Sequence, residues 1–375
     1  MIFDSPPEVY SYASLNGYYA EEMYGKSPDE LDDGDTGPVA HVVDYKACVV
    51  GQRGVVYIGN VRFNGKQRPD AMMFSMPGKP GLFPMFNTFD SPSSDGSPII
   101  ALASFRDTVL QFKKNSLYVI NVSNPQQFFA EAVFRDCGVG NPAQVFTTSF
   151  GVIFVNDYGC FIYDGGKVVS LTSGKIDDWA GAMNNPAVGY DPRSQSIVVL
   201  EDIASNSNID GWVYNMTTQS WSKGVSMITA SRYYSNFIID STGYLCIHSS
   251  GSTSLYNYNA DKSADTGDQT ITYTTKDIDF GLPSQTKKIF KIYVTYFSDD
   301  ASVPTLTYGK DGAAPTSAFD SGAFASSGGL QTTEFTVTDT DLTGIKSLSL
   351  KATGSTDHSF EIQDISILYR ARPIK

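Results

Sequence analysis

Residues 99–122, IIALASFRDTVLQFKKNSLYVINV, decide the fold. Three short apolar runs are separated by two polar breaks, Arg106-Asp107 and Lys113-Lys114-Asn115. Val109, Phe112, Tyr118, Val119 and Ile120 are β-branched or aromatic and fit a pleated, half-buried surface, while Asp and Asn in the breaks suit tight turns. No helical period of apolar positions runs across the charged breaks, so the stretch predicts an up-down-up meander.

Units of the same texture follow one another along two-thirds of the chain. They are AHVVDYKACVVGQRGVVYIGNVRF (40–63), the stretch above, TTSFGVIFVNDYGCFIYDGGKVVSL (147–171), the segment 187–224, and SNFIIDSTGYLCIHSSGSTSLYNYN (235–259). Hairpin turns fall at Asn156-Asp157-Tyr158-Gly159, Asp164-Gly165-Gly166 and Asp240-Ser241-Thr242-Gly243. Unit starts ~40–60 residues apart match four-stranded propeller blades. The expectation is an all-β protein: a five- or six-bladed β-propeller over 39–260, with an array of β-sandwiches as the other all-β option. A sixth blade would draw on the N-terminal arm or on the Pro-broken segment 64–98, which otherwise supplies an outer strand.

Residues 261–270 are small and polar and read as a linker. Beyond them, alternating Thr- and Ser-rich segments at 271–280, 288–297, 305–309, 333–339, 347–353 and 360–370 predict a C-terminal β-sandwich, jelly-roll-like, over 271–375. Residues 1–38 form an arm of another kind. It is rich in tyrosine (Tyr10, Tyr12, Tyr18, Tyr19, Tyr24) and ends in an acidic loop, DELDDGD at 29–35, that lacks the ligand spacing of an EF-hand.

Composition agrees with this reading and narrows function. Of 375 residues, 13% are aromatic and only 18% charged, with 33 Gly and 18 Pro, a balance of many strands and many turns with little helix. A net charge of −13 argues against a nucleic-acid-binding surface, which needs clustered Lys and Arg, and against docking on an anionic membrane. No apolar segment approaches the ~20 residues of a membrane-crossing helix, and the N-terminus lacks a signal-peptide pattern, so folding in the cytoplasm is expected. Cys48, Cys137, Cys160 and Cys246 have no CxxC spacing and read as buried free thiols.

No catalytic constellation stands out. His41, His248 and His358 lie in different units without an HxH or HExxH partner pattern, and no phosphate-binding loop leads a strand into a helix. Cys137-Gly-Val-Gly-Asn-Pro is a turn rather than a phosphate cradle. A carboxylate pair in a propeller cleft would suit a glycosidase. A sialidase, however, needs three clustered arginines, and the arginines here are dispersed. Ser93-Ser94-Asp95-Gly96-Ser97 approaches an Asp-box but lacks its closing Thr-Trp. Trp179, Trp212, Trp221 and Tyr233-Tyr234 suit either sugar stacking or packing between blades. No catalytic, metal or cofactor-binding residue is assigned.

Three segments in series, SFRDTVLQFKKNSLYVI, FGVIFVNDYGCFIYDGGKVVSLTSGKIDDW and AVGYDPRSQSIVVL with the later VYNMTTQSWSKG, resemble the propeller domain of bacteriophage virion proteins. Those proteins form or support the tail nozzle and hub of short-tailed phages. FGLPSQTKKIFKIYVTYF and FEIQDISILYRARPIK resemble the opening and closing of the β-sandwich that follows the propeller in such proteins. The resemblance spans about 40–259 and 271–375, whereas the nozzle proteins are longer. It implies a structural protein of the virion, not an enzyme, assembled in the host bacterial cytoplasm as a homo-oligomeric ring, commonly a hexamer, with adaptor and fibre proteins as partners. DNA would be only passing cargo, in a channel whose acidity avoids phosphate trapping. The arm (Tyr10, Tyr12, Tyr18, Tyr19) and the sandwich end (Arg370, Arg372) would lie at subunit interfaces. A propeller glycosidase and a carbohydrate-binding adhesin are the other classes.

Overall fold

The structure, a computed structural model, describes residues 8–9, 41–63, 66–80, 83, 87–90, 96–124, 127–204, 208–228, 236–248, 255–258, 269–298, 303–325, 329–337, 341–356 and 360–372. It is all-β, and every pair of named strands is antiparallel. The chain divides into two compact units, Met1–Ala260 and Asp261–Lys375.

The deciding stretch folds as three strands, Ala101–Phe105, Thr108–Phe112 and Ser116–Asn121, joined at Arg106-Asp107 and at Lys113–Asn115. Phe105 pairs with Thr108, so the first turn is a two-residue loop, and Arg106 takes the left-handed conformation that such loops demand (φ 53°). A fourth strand, Phe129–Arg135, closes this sheet. Both faces are covered. Leu110, Phe112, Leu117 and Val119 join one core cluster, while Val109, Tyr118 and Ile120 join another. That double burial is why the strands read as continuous apolar runs instead of alternating ones.

Four more sheets of the N-terminal unit follow the same up-and-down order. In the first, Val56–Phe63 pairs on one side with His41–Asp44 and Ala47–Val50, which share one register and act as a single strand broken at Tyr45-Lys46. On its other side stand Lys66–Phe74 and then Thr88–Asp90. The described part of 64–98 therefore supplies outer strands to this sheet rather than a blade of its own. Glu8–Val9 pairs with the edge at His41–Asp44. The third sheet is Val145–Thr147, Val152–Asn156, Gly159–Tyr163 and Val168–Ser170. The fourth is Ala187–Asp191, Ser196–Leu200, Ile209–Asn215 and Ser220–Ile228. In the fifth, Ile238–Ile239, Leu245–His248 and Leu255–Asn257 are described.

Each sheet packs against the next in chain order. The first strands lie side by side, Ala47–Val50 against Ala101–Phe105, then Val145–Thr147, then Ala187–Asp191. Buried side chains from consecutive sheets form common clusters, such as Phe112 with Phe154 (rings 5.2 Å apart) and Val199 with Val155.

In the second unit, two four-stranded sheets share one core. One has the order Gln269–Thr274, Leu348–Thr356, Thr305–Lys310, Ser317–Ala318; in the other, Lys287–Ser298 pairs with Gly329–Phe335, Thr343–Ile345 and Phe360–Ala371. Ile292, Val294 and Tyr296 from one sheet meet Leu306, Tyr308 and Leu350 from the other. The first and last described strands of the unit lie in different sheets. Alternation in the sequence marks strands but is silent about which strands become neighbours.

Candidate functional site

Residues that the sequence offered for chemistry turn out to tie sheets together. The indoles of Trp179, Trp212 and Trp221 cluster between the third and fourth sheets, with Trp179 5.6 Å from Trp221 and 6.3 Å from Trp212. Each indole N–H is satisfied within the protein: Trp179 donates to the Asn156 carbonyl (2.8 Å), Trp221 to the Leu171 carbonyl (2.9 Å), Trp212 to the Glu201 carboxylate (2.9 Å). Packing between sheets is their role. Tyr233 and Tyr234 lie outside the described residues.

The turns behave alike. Arg106 reaches from the second sheet to the 164–167 turn of the third, where a Cβ added at Gly165 would lie 2.9 Å from its guanidinium. The Asn156 amide donates to the Asp136 and Gly138 carbonyls (3.1 and 2.8 Å), fastening the third sheet to the end of the second. Arg193 lies 3.6 Å over the ring of Tyr244 and ties the fourth sheet to the fifth. The Gly-rich 137–142 segment holds no anion cradle. The N–H of Val139 donates to the Lys113 carbonyl, and those of Gly140 and Asn141 donate to the Gln144 side chain.

Cys137, Cys160 and Cys246 are buried free thiols, as expected, and Cys48 is half-buried. Burial raises all four thiol pKa values, which leaves them poor nucleophiles. Among the described residues, no group of three His, Cys, Asp or Glu could hold a metal. No helix there is long and apolar enough to cross a membrane. The side chains of His41 and His358, the 29–35 acidic loop and most of the 93–97 segment lie outside the described residues.

Of the proposed interface residues, Tyr10, Tyr12, Tyr18 and Tyr19 also lie outside them. Arg370 and Arg372 are exposed at the end of the last strand. The guanidinium of Arg370 lies 5.9 Å from the centre of the Phe290 ring, and the Arg372 N–H donates to the Thr286 carbonyl (2.8 Å).

One feature had no signal in the sequence. A cavity of about 460 Å³ opens between the first and second sheets. Its apolar wall is Tyr57, Phe74 and Phe128, with ring centres 4.5–6.4 Å apart. Polar groups on its lining include Arg53, Asn87 and Asp107. The main chain sets these positions. Ser75 receives the Val56 N–H on its hydroxyl and donates its own N–H to the Val56 carbonyl, tying two strand ends at the cavity floor. Gly51 is required beside the Tyr57 ring, because a Cβ there would approach the ring to 2.5 Å. Asp107 is held by its hairpin, whose carbonyl accepts the Val122 N–H at 2.9 Å.

Tyr57 is only 3% exposed, yet no described residue hydrogen-bonds its hydroxyl. Burial lifts its pKa to about 12, against the opposing pull of Arg53. The Asn87 side-chain amide donates to the Phe74 carbonyl (3.2 Å), which leaves its own carbonyl oxygen available to the cavity. Scattered over four loops and strand ends, these residues make no motif that sequence reading could detect.

No family model matches the chain, and it has no match among curated proteins. Two solved structures overlay on it weakly. One belongs to the S. cerevisiae complex of Dbp5 with Nup159, Gle1, IP6 and ADP: TM-score 0.27, 10% identity, 57% of this chain and 73% of that one. The other is an exo-β-1,3-galactanase from Phanerochaete chrysosporium with galactose: TM-score 0.26, 10% identity, 90% of this chain and 84% of that one. At these scores neither likeness carries an argument.

Proposed function

We infer that the chain is a structural protein of a tailed-phage virion, a β-propeller of five or six blades followed by a β-sandwich, which assembles as a homo-oligomeric ring around the DNA exit channel. The observation that supports this reading is the use made of the segments that resemble phage nozzle and hub proteins. Arg106, Asn156, Arg193 and the tryptophans lie in or between those segments, and each joins one sheet to its neighbour. Side chains spent on rigidity suit a part whose work is shape and symmetry. The five consecutive meanders, the first four touching through their first strands and the fifth through Leu245–His248, have the order of propeller blades. The net charge of −13 suits a wall past which DNA slides.

Native mass spectrometry of the full chain, with negative-stain imaging of the same sample, tests the reading. A closed ring of identical subunits, six being the expected number, supports it. A monodisperse monomer across the micromolar range overturns it.

A further inference from the structure

We propose that the cavity between the first and second sheets is a carbohydrate-binding site for one or two neutral pyranose residues. This goes beyond the virion reading and does not depend on it. At about 460 Å³ the space falls within the ~300–1,000 Å³ typical of small-molecule sites. That is room for a short sugar and not for a long chain.

The chemistry of the lining selects the ligand. Tyr57, Phe74 and Phe128 offer aromatic surface to the C–H face of a pyranose. Arg53 and Asp107 bring opposite charges to the same lining, and no ion pair joins them. The guanidinium opposes a cationic ligand, and the carboxylate opposes an anionic one. A neutral polyol suits both, since each hydroxyl donates to a carboxylate as readily as it accepts from a guanidinium. Tyr57, a lining residue only 3% exposed overall, adds a phenol hydroxyl to the same wall. A phenol hydroxyl both donates and accepts, as a sugar hydroxyl does, so the two can pair.

The test is saturation-transfer NMR on the full chain, with the methyl glycosides of glucose, galactose, mannose and N-acetylglucosamine as probes and tetramethylammonium alongside. At least one glycoside is expected to bind, with a Kd of about 1 mM for a ligand of this size. Asp107→Asn, an exposed hairpin position that tolerates Asn, and Phe128→Ala should each weaken that binding at least about fivefold. Tyr158→Ala, which removes a 70% exposed ring at the tip of a hairpin in the third sheet, should leave it unchanged. Thermal midpoints report whether each variant is folded, and Asp107→Asn decides the matter if Phe128→Ala is not. Absence of transfer to every glycoside overturns the proposal. So does glycoside binding that Asp107→Asn leaves intact, or binding of tetramethylammonium alone.

Discussion

Gln111 shows how a residue can be misplaced by its type. It sits in the middle strand of the deciding stretch, where a polar side chain ordinarily marks the solvent face. Here it is fully buried, and neither amide atom has a hydrogen-bond partner among the described residues. The neighbours Val109 and Tyr118 on its face belong to the core between the first and second sheets. Replacing it with a similar-sized apolar side chain removes an unpaired dipole without opening a hole, so Gln111→Met should stabilise the protein by about 1–2 kcal/mol. A raised thermal midpoint by differential scanning calorimetry would show this, and a lowered one would mean that the amide has a role. Tyr57 carries a pH consequence. Its folded-state pKa of about 12 lies above the ordinary value of 10.0, so the neutral phenol is favoured in the folded protein. That contribution to stability is whole below pH 10 and is lost as pH rises from 10 to about 12. Tyr57→Phe should flatten the fall in stability across that interval, as read from urea midpoints at stepped pH. Turn residues, by contrast, were legible from type alone. The carboxylates of Asp164 and Asp240 accept main-chain N–H groups across their hairpins, bonds that lower the pKa of both from the ordinary carboxylate value.

At the level of strands, legibility followed burial. Runs buried on both faces, such as Val152–Asn156 and Ser196–Leu200, were plain in the sequence. Phe129–Arg135 was missed because its pattern is inverted: Phe129 and Val133 face outward, each 49% exposed, while Ala130 and Ala132 point the other way. Weak inward residues opposite apolar outward ones erase the period-two signal. The strand Lys287–Ser298 was located to within a residue, but not the role of its first side chain. Lys287 is fully buried at the start of a central strand. Its ammonium donates to the carbonyls of Leu282 (2.6 Å) and Lys346 (2.7 Å), pinning two connections to the strand. Lys287→Met keeps most of the stem volume and leaves both carbonyls unpaired. It should destabilise the Asp261–Lys375 unit by about 1–3 kcal/mol, measured as a lowered unfolding midpoint of that unit in the full chain. An unchanged midpoint would show that the two carbonyls find other donors.

Taken whole, the chain was legible as a succession of meanders followed by a change of texture near residue 260, because repeat spacing and turn chemistry are local properties. The cavity was not, since its walls come from segments as far apart as Arg53 and Phe128 and depend on how two sheets meet. The links between sheets carry one further consequence, for synthesis. Asn156 reaches back 18 residues to Gly138, Arg193 forward 49 to Thr242, and Trp221 back 50 to Leu171. All are short separations for an all-β protein, in which distant pairing usually slows folding. As the N-terminal unit leaves the ribosome, each sheet can dock on the one before it while the next is still being translated. Growth in that direction keeps half-finished edges covered and limits the time in which copies made side by side can pair wrongly.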